Sequence, residues 1–397
     1  YNDGSCKEPS NILLYTSADL GEVAFHTTDP GFDTTDRYLV ARSLRPVAVH
    51  YNPTTQTVYW SDVTERTIRS AKLDSSEGEV FLSYNQSIGI VDGLVVDPTL
   101  NVLYYSNMGF VEVDSATYSW HKIESVSLVD VTERRVIVDS VERPRGLHVT
   151  ENQLLYTDWG SQASVSSADK DGSQSKVLQG GLDNPNGVYA RGSDIFFIDS
   201  HDKRGSQNAS LYHVDDSGTA MSMSFNENQL KIPFGITGNE NTLYISDWGH
   251  SAIIEVSFNP NTKAVTQSRP IIENIPGPMS VVYTPVSVSV EIDCQPLSCS
   301  DHQVCLASSE ESTLCECNSY DPLVNLDNSC EAPDDFLLFG DMNGIRMVGI
   351  GTDDTSTYTV VEGGPYFSNF AGLVYHDESK SIYFSDVNQR AIFKYDM

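Results

Sequence analysis

Tyr59-Trp60-Ser61-Asp62 is the stretch that decides the fold, because its pattern of two apolar or aromatic residues, a usually small one and an acid returns along the chain. It returns as Tyr104-Tyr105-Ser106-Asn107, Leu155-Tyr156-Thr157-Asp158, Phe196-Phe197-Ile198-Asp199 and Tyr244-Ile245-Ser246-Asp247, with a worn first copy at Leu14-Tyr15-Thr16-Ser17. Successive copies start 45, 45, 51, 41 and 48 residues apart. A period of about 20 to 50 residues signals stacked supersecondary units in place of one conventional core.

Upstream of each later copy, a small residue introduces a short β-branched run. The runs are Pro46-Val47-Ala48-Val49, Gly93-Leu94-Val95-Val96-Asp97, Pro144-Arg145-Gly146-Leu147, Pro185-Asn186-Gly187-Val188 and Pro233-Phe234-Gly235-Ile236. From the small residue to the last tetrapeptide position is 14 or 12 residues, the length of two short strands and their turn. A third run follows, such as Thr67–Asp74 or Ala252–Val256, and usually a fourth, such as Glu79–Leu82 or Arg135–Val138. Four strands per unit is the arithmetic of a propeller blade. The first copy lacks a leading strand, while an unattached strand of that kind, Pro278–Tyr283, follows the sixth unit. The expectation is that this late strand completes the first blade and closes the ring, which removes open sheet edges.

Composition fits a folded, turn-rich chain: 397 residues with 20 Tyr, 15 Phe and 27 Gly. No run approaches the roughly 20 apolar residues of a membrane span, and there is no signal-peptide pattern. A start at Tyr1 reads as a piece of something longer. The net charge of −31, from 24 basic and 55 acidic residues, argues against nucleic acid, which needs a basic footprint. The acid excess serves solubility, or steers basic protein ligands through loop residues such as Glu22, Glu65, Asp92, Glu112, Glu142, Asp183 and Asp202.

Six of the seven cysteines lie together at Cys294, Cys299, Cys305, Cys315, Cys317 and Cys330. A block this short cannot rely on a hydrophobic core, so cross-links are expected to hold it. Six cysteines allow fifteen pairings and spacing alone cannot choose. A zinc site would need paired Cys-x-x-Cys or histidine ligands, and only His302 lies inside the block.

This spacing resembles an epidermal-growth-factor-like module, and the tetrapeptide is similar to the YWTD repeat. Their order resembles the low-density lipoprotein receptor family. The resemblance implies an all-β chain: residues 1–10 as the tail of a preceding module, 11–290 as a six-bladed propeller, 291–332 as the disulfide-rich module, and 333–397 as about two blades of a second propeller. It also implies pairs Cys294–Cys305, Cys299–Cys315 and Cys317–Cys330, with the partner of Cys6 outside this chain. A second propeller is suggested by Phe336–Asp341 and by Ile382–Asp386, led by Ala371-Gly372-Leu373-Val374. A tandem of this kind is similar to the receptor-related members that include the Wnt co-receptors and the agrin receptor.

Within that group, Asn184-Pro185-Asn186-Gly187 is similar to W-P-N-G, whose asparagine grips a ligand asparagine; here Asn184 stands in place of the tryptophan. Thr157-Asp158-Trp159-Gly160 and the run from Phe234 through Trp248 to His250 resemble its fourth and sixth blades. The ligand contacts implied are Asn184, Asn186, Trp159, Phe234, Trp248 and His250. The duller readings are turn shaping for Asn186 and edge packing for the tryptophans. Asp62, Asp158, Asp199 and Asp247 are read as structural acceptors of backbone N–H bonds. Asn85 and Asn208 head N-glycan sequons.

No cofactor and no metal is expected: Glu291 and Asp293 are not arranged as a calcium site beside Cys294. No catalytic elbow, zinc motif or phosphate loop occurs, so no enzyme is expected. Histidines form no ligand pairs, and acid-triggered ligand release is an expectation of the resemblance alone. The reading is an extracellular, protein-binding part of a single-pass cell-surface receptor in endocytosis or Wnt-type signalling, its membrane span outside this piece. The alternative is a nidogen-like matrix or growth-factor-precursor protein using the propeller as a scaffold.

Overall fold

The computed structural model describes residues 10–28, 37–73, 78–83, 87–113, 116–200, 209–215, 218–225, 230–286, 303–307, 313–317, 335–341, 344–350, 358–362, 370–376, 381–386 and 391–396. The first sheet holds β1 (Asn11–Ser17), β2 (Glu22–Thr27) and β3 (Tyr38–Arg42), and the second holds β4 (Pro46–Asn52), β5 (Thr57–Asp62), β6 (Thr67–Lys72) and β7 (Glu79–Leu82). The third comprises β8 (Leu94–Asp97), β9 (Val102–Val113), β10 (Ala116–Ser127) and β11 (Arg134–Val138); the fourth, β12 (Pro144–Val149), β13 (Gln153–Asp158), β14 (Ser164–Asp169) and β15 (Lys176–Gly180). The fifth is β16 (Pro185–Arg191), β17 (Asp194–Asp199), β18 (Ser210–Val214) and β19 (Ala220–Met223). The sixth is β20 (Pro233–Asn239), β21 (Thr242–Asp247), β22 (Ala252–Phe258) and β23 (Val265–Ile272). Then β24 (Pro278–Pro285) returns to the first sheet, with Leu14 opposite Val282 and Tyr15 opposite Val281.

The innermost strands β24, β4, β8, β12, β16 and β20 each touch the next, and β20 touches β24. This is the arrangement of a β-propeller. The tetrapeptide strands are covered on both faces by neighbouring sheets: Trp60, Tyr105 and Phe197 are fully buried. A doubly covered strand reads as a continuous apolar run, which is why the repeat stands out in the sequence. Outer strands such as β15 carry exposed residues and lack that signature.

The two spacings have a simple cause in the turns. Asn52 pairs with Thr57 and Asp97 with Val102 across four-residue turns, whereas Arg191 pairs with Asp194 and Asn239 with Thr242 across two-residue turns. The longer turns are capped from within. Asn52 Oδ1 accepts from Thr54 N at 3.0 Å, and Asp97 Oδ1 from Thr99 N at 3.0 Å.

Farther along, β25 (Gln303–Ala307) and β26 (Thr313–Cys317) form a hairpin with Cys305 opposite Cys315. Two three-stranded sheets follow: β27 (Asp335–Asp341), β28 (Gly344–Ile350) and β29 (Tyr358–Glu362), then β30 (Phe370–His376), β31 (Ser381–Asp386) and β32 (Ala391–Asp396). Phe370 pairs with Asp386 as Pro46 pairs with Asp62. Cys6, Cys294, Cys299 and Cys330, the side chains of Cys305, Cys315 and Cys317, and the sequon residues Asn85 and Asn208 lie outside the described residues. No helix among the described residues is long and apolar enough to cross a membrane.

Candidate functional site

The tetrapeptide acids end their strands on the same side of the ring and tie down the loops that lead into the inner strands. Asp62 accepts from Arg45 N at 2.9 Å, Thr64 N at 2.9 Å and Glu65 N at 2.9 Å, as well as from the Ser43 hydroxyl. Asp158 accepts from Glu142 N, Arg143 N and Gly160 N; Asp199 from Asp183 N and Asn184 N; Asp247 from Lys231 N, Ile232 N and His250 N. Burial raises the Asp62 pKa, but its hydrogen bonds outweigh that and hold the carboxyl below its ordinary value.

The residue before the acid has a role that the sequence reading did not assign. Its hydroxyl accepts from the small residue of its own inner strand: Ser61 from Ala48 N at 2.9 Å, Ser106 from Gly93 N at 2.9 Å, Thr157 from Gly146 N at 2.8 Å and Ser246 from Gly235 N at 2.8 Å. Thr16 serves Ser280 N of β24 in the same way at 3.0 Å. In four copies that hydroxyl also donates to the next sheet's inner segment. Thr16 reaches Val47 O at 2.6 Å, Ser61 reaches Val91 O at 2.7 Å, Thr157 reaches Asn186 O at 2.7 Å, and Ser246 reaches Met279 O.

Two joints use other chemistry. Between the third and fourth sheets, Asp92 and Arg145 form an ion pair. Between the fifth and sixth, Ile198 has no hydroxyl, and the Asn186 amide donates to Pro233 O at 2.8 Å and to the Ser200 hydroxyl. Asn186 is 3% exposed, and its Oδ1 has no hydrogen-bond partner among the described residues.

The second positions of the six inner strands or their lead-ins, Val47, Asp92, Arg145, Asn186, Phe234 and Met279, line the mouth of an axial cavity of about 320 Å³. One sector of the mouth is apolar, with Ala18, Val47, Met279, Val63 and Phe234 packed together. Phe234 meets Trp248 edge-on, ring centroids 6.2 Å apart, and Trp248 is 37% exposed. The opposite sector is charged. Arg145 lies over the Trp159 ring, 3.7 Å from its centroid, while Trp159 Nε1 donates to Pro185 O at 2.8 Å. Burial pushes the Asp92 carboxyl up against the pull of Arg145.

Deeper in the cavity lie His50 and His148. Burial brings both imidazoles down to about 4, the nearby His148 adding to the effect on His50. His148 Nε2 is 3.0 Å from Ala190 O.

The structure thus brings Asn186, Trp159, Phe234 and Trp248 to one side of the ring. The backbone of Asn184 holds its turn, its N–H donating to Asp199 and its carbonyl accepting from Ser200 N at 3.0 Å. His250 closes a single turn of 3₁₀ helix with Nδ1 3.1 Å from Asp247 Oδ2. Of the acids read as a steering field, Glu22 is 5% exposed and pairs with Arg37 and Arg42, Glu65 pairs with Arg69, and Asp92 with Arg145; Asp202 lies outside the described residues. Among the described residues no three metal-capable side chains come together.

No family model matches the chain. It is 25% identical over 255 residues to the vitellogenin receptor Yl of Drosophila melanogaster, a match covering 62% of this chain and 12% of that protein. Protein cueball of Drosophila yakuba is 31% identical over 134 residues, 32% of this chain and 19% of that protein. The chain therefore spans under a fifth of the length of the curated relatives it matches. Among solved structures, a nidogen/laminin complex chain aligns at TM-score 0.57 and 19% identity, covering 70% of this chain and all of that one. Kuenenia stuttgartiensis hydrazine synthase aligns at TM-score 0.51 and 13% identity, covering 77% and 92%. These likenesses show a propeller fold, and that fold hosts more than one kind of function.

Proposed function

We propose that the six sheets are the blades of a closed YWTD-type propeller over residues 11–290, followed by an epidermal-growth-factor-like module and the start of a second propeller. The chain is then the extracellular, ligand-binding region of a lipoprotein-receptor-related cell-surface protein, taking a protein ligand across the channel mouth in endocytosis or Wnt-type signalling. One observation carries this reading. The mouth sets an exposed Trp248, packed on a half-buried Phe234, across from an Arg145–Trp159 stack, the mix of aromatic and arginine anchors that dominates protein interfaces. The similarity to a vitellogenin receptor supports it.

The test is capture of secreted proteins on the immobilised chain, compared with Trp248→Ala and with Val177→Ala on the exposed edge strand β15. Ligand capture falls at least tenfold with Trp248→Ala and persists with Val177→Ala. Equal capture by both variants would place the ligand elsewhere. A second reading, a matrix scaffold, is favoured by the nidogen/laminin neighbour. A full-length gene encoding a membrane span with internalisation signals separates the receptor from the scaffold.

A further inference from the structure

One element breaks the sixfold pattern. In the other sheets with a full tetrapeptide the second strand stops at its acid, at Asp62, Asp158, Asp199 or Asp247. In the third sheet it runs on past Asn107 to Val113 and pairs with β10 as far as Val113 opposite Ala116. The extra six residues make a two-stranded arm of about 20 Å at roughly 3.3 Å per residue. It rises on the mouth side, because Asn107 sits where the other acids sit. Trp120 packs against Gly109 at its base, where a Cβ would fall 1.8 Å from the indole. An aromatic laid over a strand glycine stiffens such a hairpin.

The arm's inner edge is defined by backbone geometry. Met108 exchanges both main-chain bonds with Ile90, N–H to carbonyl at 2.9 and 2.7 Å, so its peptide groups point away from β10 and toward the ring axis. Strand alternation carries the same orientation to Phe110 and Glu112. Among the described residues no strand pairs with that edge beyond Met108, since β8 ends its pairing opposite Tyr105 and Val102. Ile90 is two residues before Asp92, so the open edge stands over the charged sector of the mouth. The base of the arm also sits beside the fourth sheet: β9 touches β12, and the His121 imidazole is lowered first by burial and then by Arg143.

Proteins blunt open edges with proline, lysine or a bulge. Phe110-Val111-Glu112-Val113 has β-forming residues, no proline and no lysine, and its pairing with β10 has no bulge. We propose that this edge is a template for strand addition: an extended, basic, β-prone segment of the protein ligand pairs with Phe110 and Glu112 and is laid across the mouth above Asp92 and Arg145. The net charge of −31 sets the sign of the segment. Main-chain pairing gives such a complex its affinity, and alternate side chains reaching the mouth give it selectivity. This rests on the mouth being the ligand site.

The probe is a fluorescein-labelled octapeptide of alternating Lys and Val, titrated into the ¹⁵N-labelled 397-residue chain. Binding slows amide exchange at Phe110 and Glu112 at least tenfold. Methylating the peptide's alternate amides on one edge weakens binding at least tenfold, and so does Glu112→Pro, which removes only an outward N–H and suits an edge position. Binding lost with Trp248→Ala or Arg145→Ala but kept with Glu112→Pro and with the methylated peptide leaves the mouth as the ligand site and overturns strand addition. Protection confined to Ser119 and His121 on the other edge, or no binding at all, also overturns it. So does a dimer in sedimentation of the peptide-free chain that Glu112→Pro abolishes, because the edge is then occupied by a second copy.

Discussion

The joint between the fourth and fifth sheets and the joint between the fifth and sixth do the same work with different atoms. At the first, the Thr157 hydroxyl collects Gly146 N and crosses to Asn186 O. At the second, Ile198 offers no hydroxyl, and the crossing bond comes instead from Asn186 on the inner strand. Each joint therefore carries a polar crossing, but not from a fixed position. Where the crossing moves to the inner strand, it brings a polar side chain to the mouth. Asp92, Arg145 and Asn186 are at once the atypical joints and the polar residues of the candidate site.

The largest effect is steric and falls at the other atypical joint, between the third and fourth sheets. A Cβ at Gly93 would lie 1.8 Å from Arg145 O, which is backbone and cannot swing aside. Gly93→Val is expected to destabilise the chain by about 3 kcal/mol or more, read as a fall in the denaturant midpoint. Asn186→Ala comes next, at about 2 kcal/mol, because it leaves Pro233 O without its partner in the interior. Ile198→Thr introduced with it recovers about half of that loss by restoring the pattern of the neighbouring joint. If the double variant is no more stable than Asn186→Ala alone, the two joints are not equivalent.

The smallest effect concerns pH. His50 and His148 have folded pKa values of about 4, below the ordinary imidazole value, so the unfolded chain binds more protons between that value and pH 4. Stability is full above the ordinary value and falls as pH drops toward 4, by on the order of 1 kcal/mol per histidine at pH 6. Thermal melts at pH 7 and pH 6 check this: His50→Gln with His148→Gln flattens the difference. Neither histidine changes charge appreciably between pH 7.4 and 5.5, so acid-triggered ligand release would have to use other groups.

Much of the fold was legible because the tetrapeptide strands are covered on both faces and repeat their apolar pattern. The return of β24 could be read from a missing leader at Leu14 and a surplus one at Val281. The mouth was legible only in part. Trp248 directly follows β21 and Phe234 is the second residue of β20, both in runs the sequence singled out, but the bond of Asn186 to Pro233 O and the pairing of Arg145 with Asp92 join residues 47 and 53 positions apart. No local pattern announces such partners. The arm was missed for a related reason: Phe110–Val113 alternates like any strand and has no counterpart in the other units against which its length could be judged.

The pairing of β24 with β1 also orders events during synthesis. Thr16 leaves the ribosome early, yet the hydrogen bond from Ser280 N that completes its sheet spans 264 positions. At about 5 to 20 residues per second, the first three strands wait for tens of seconds before their partner exists. A nascent chain halted before Pro278 would hold every other strand of the ring and still leave one edge of β1 unpaired, a form that chaperones or proteases would meet before any ligand does.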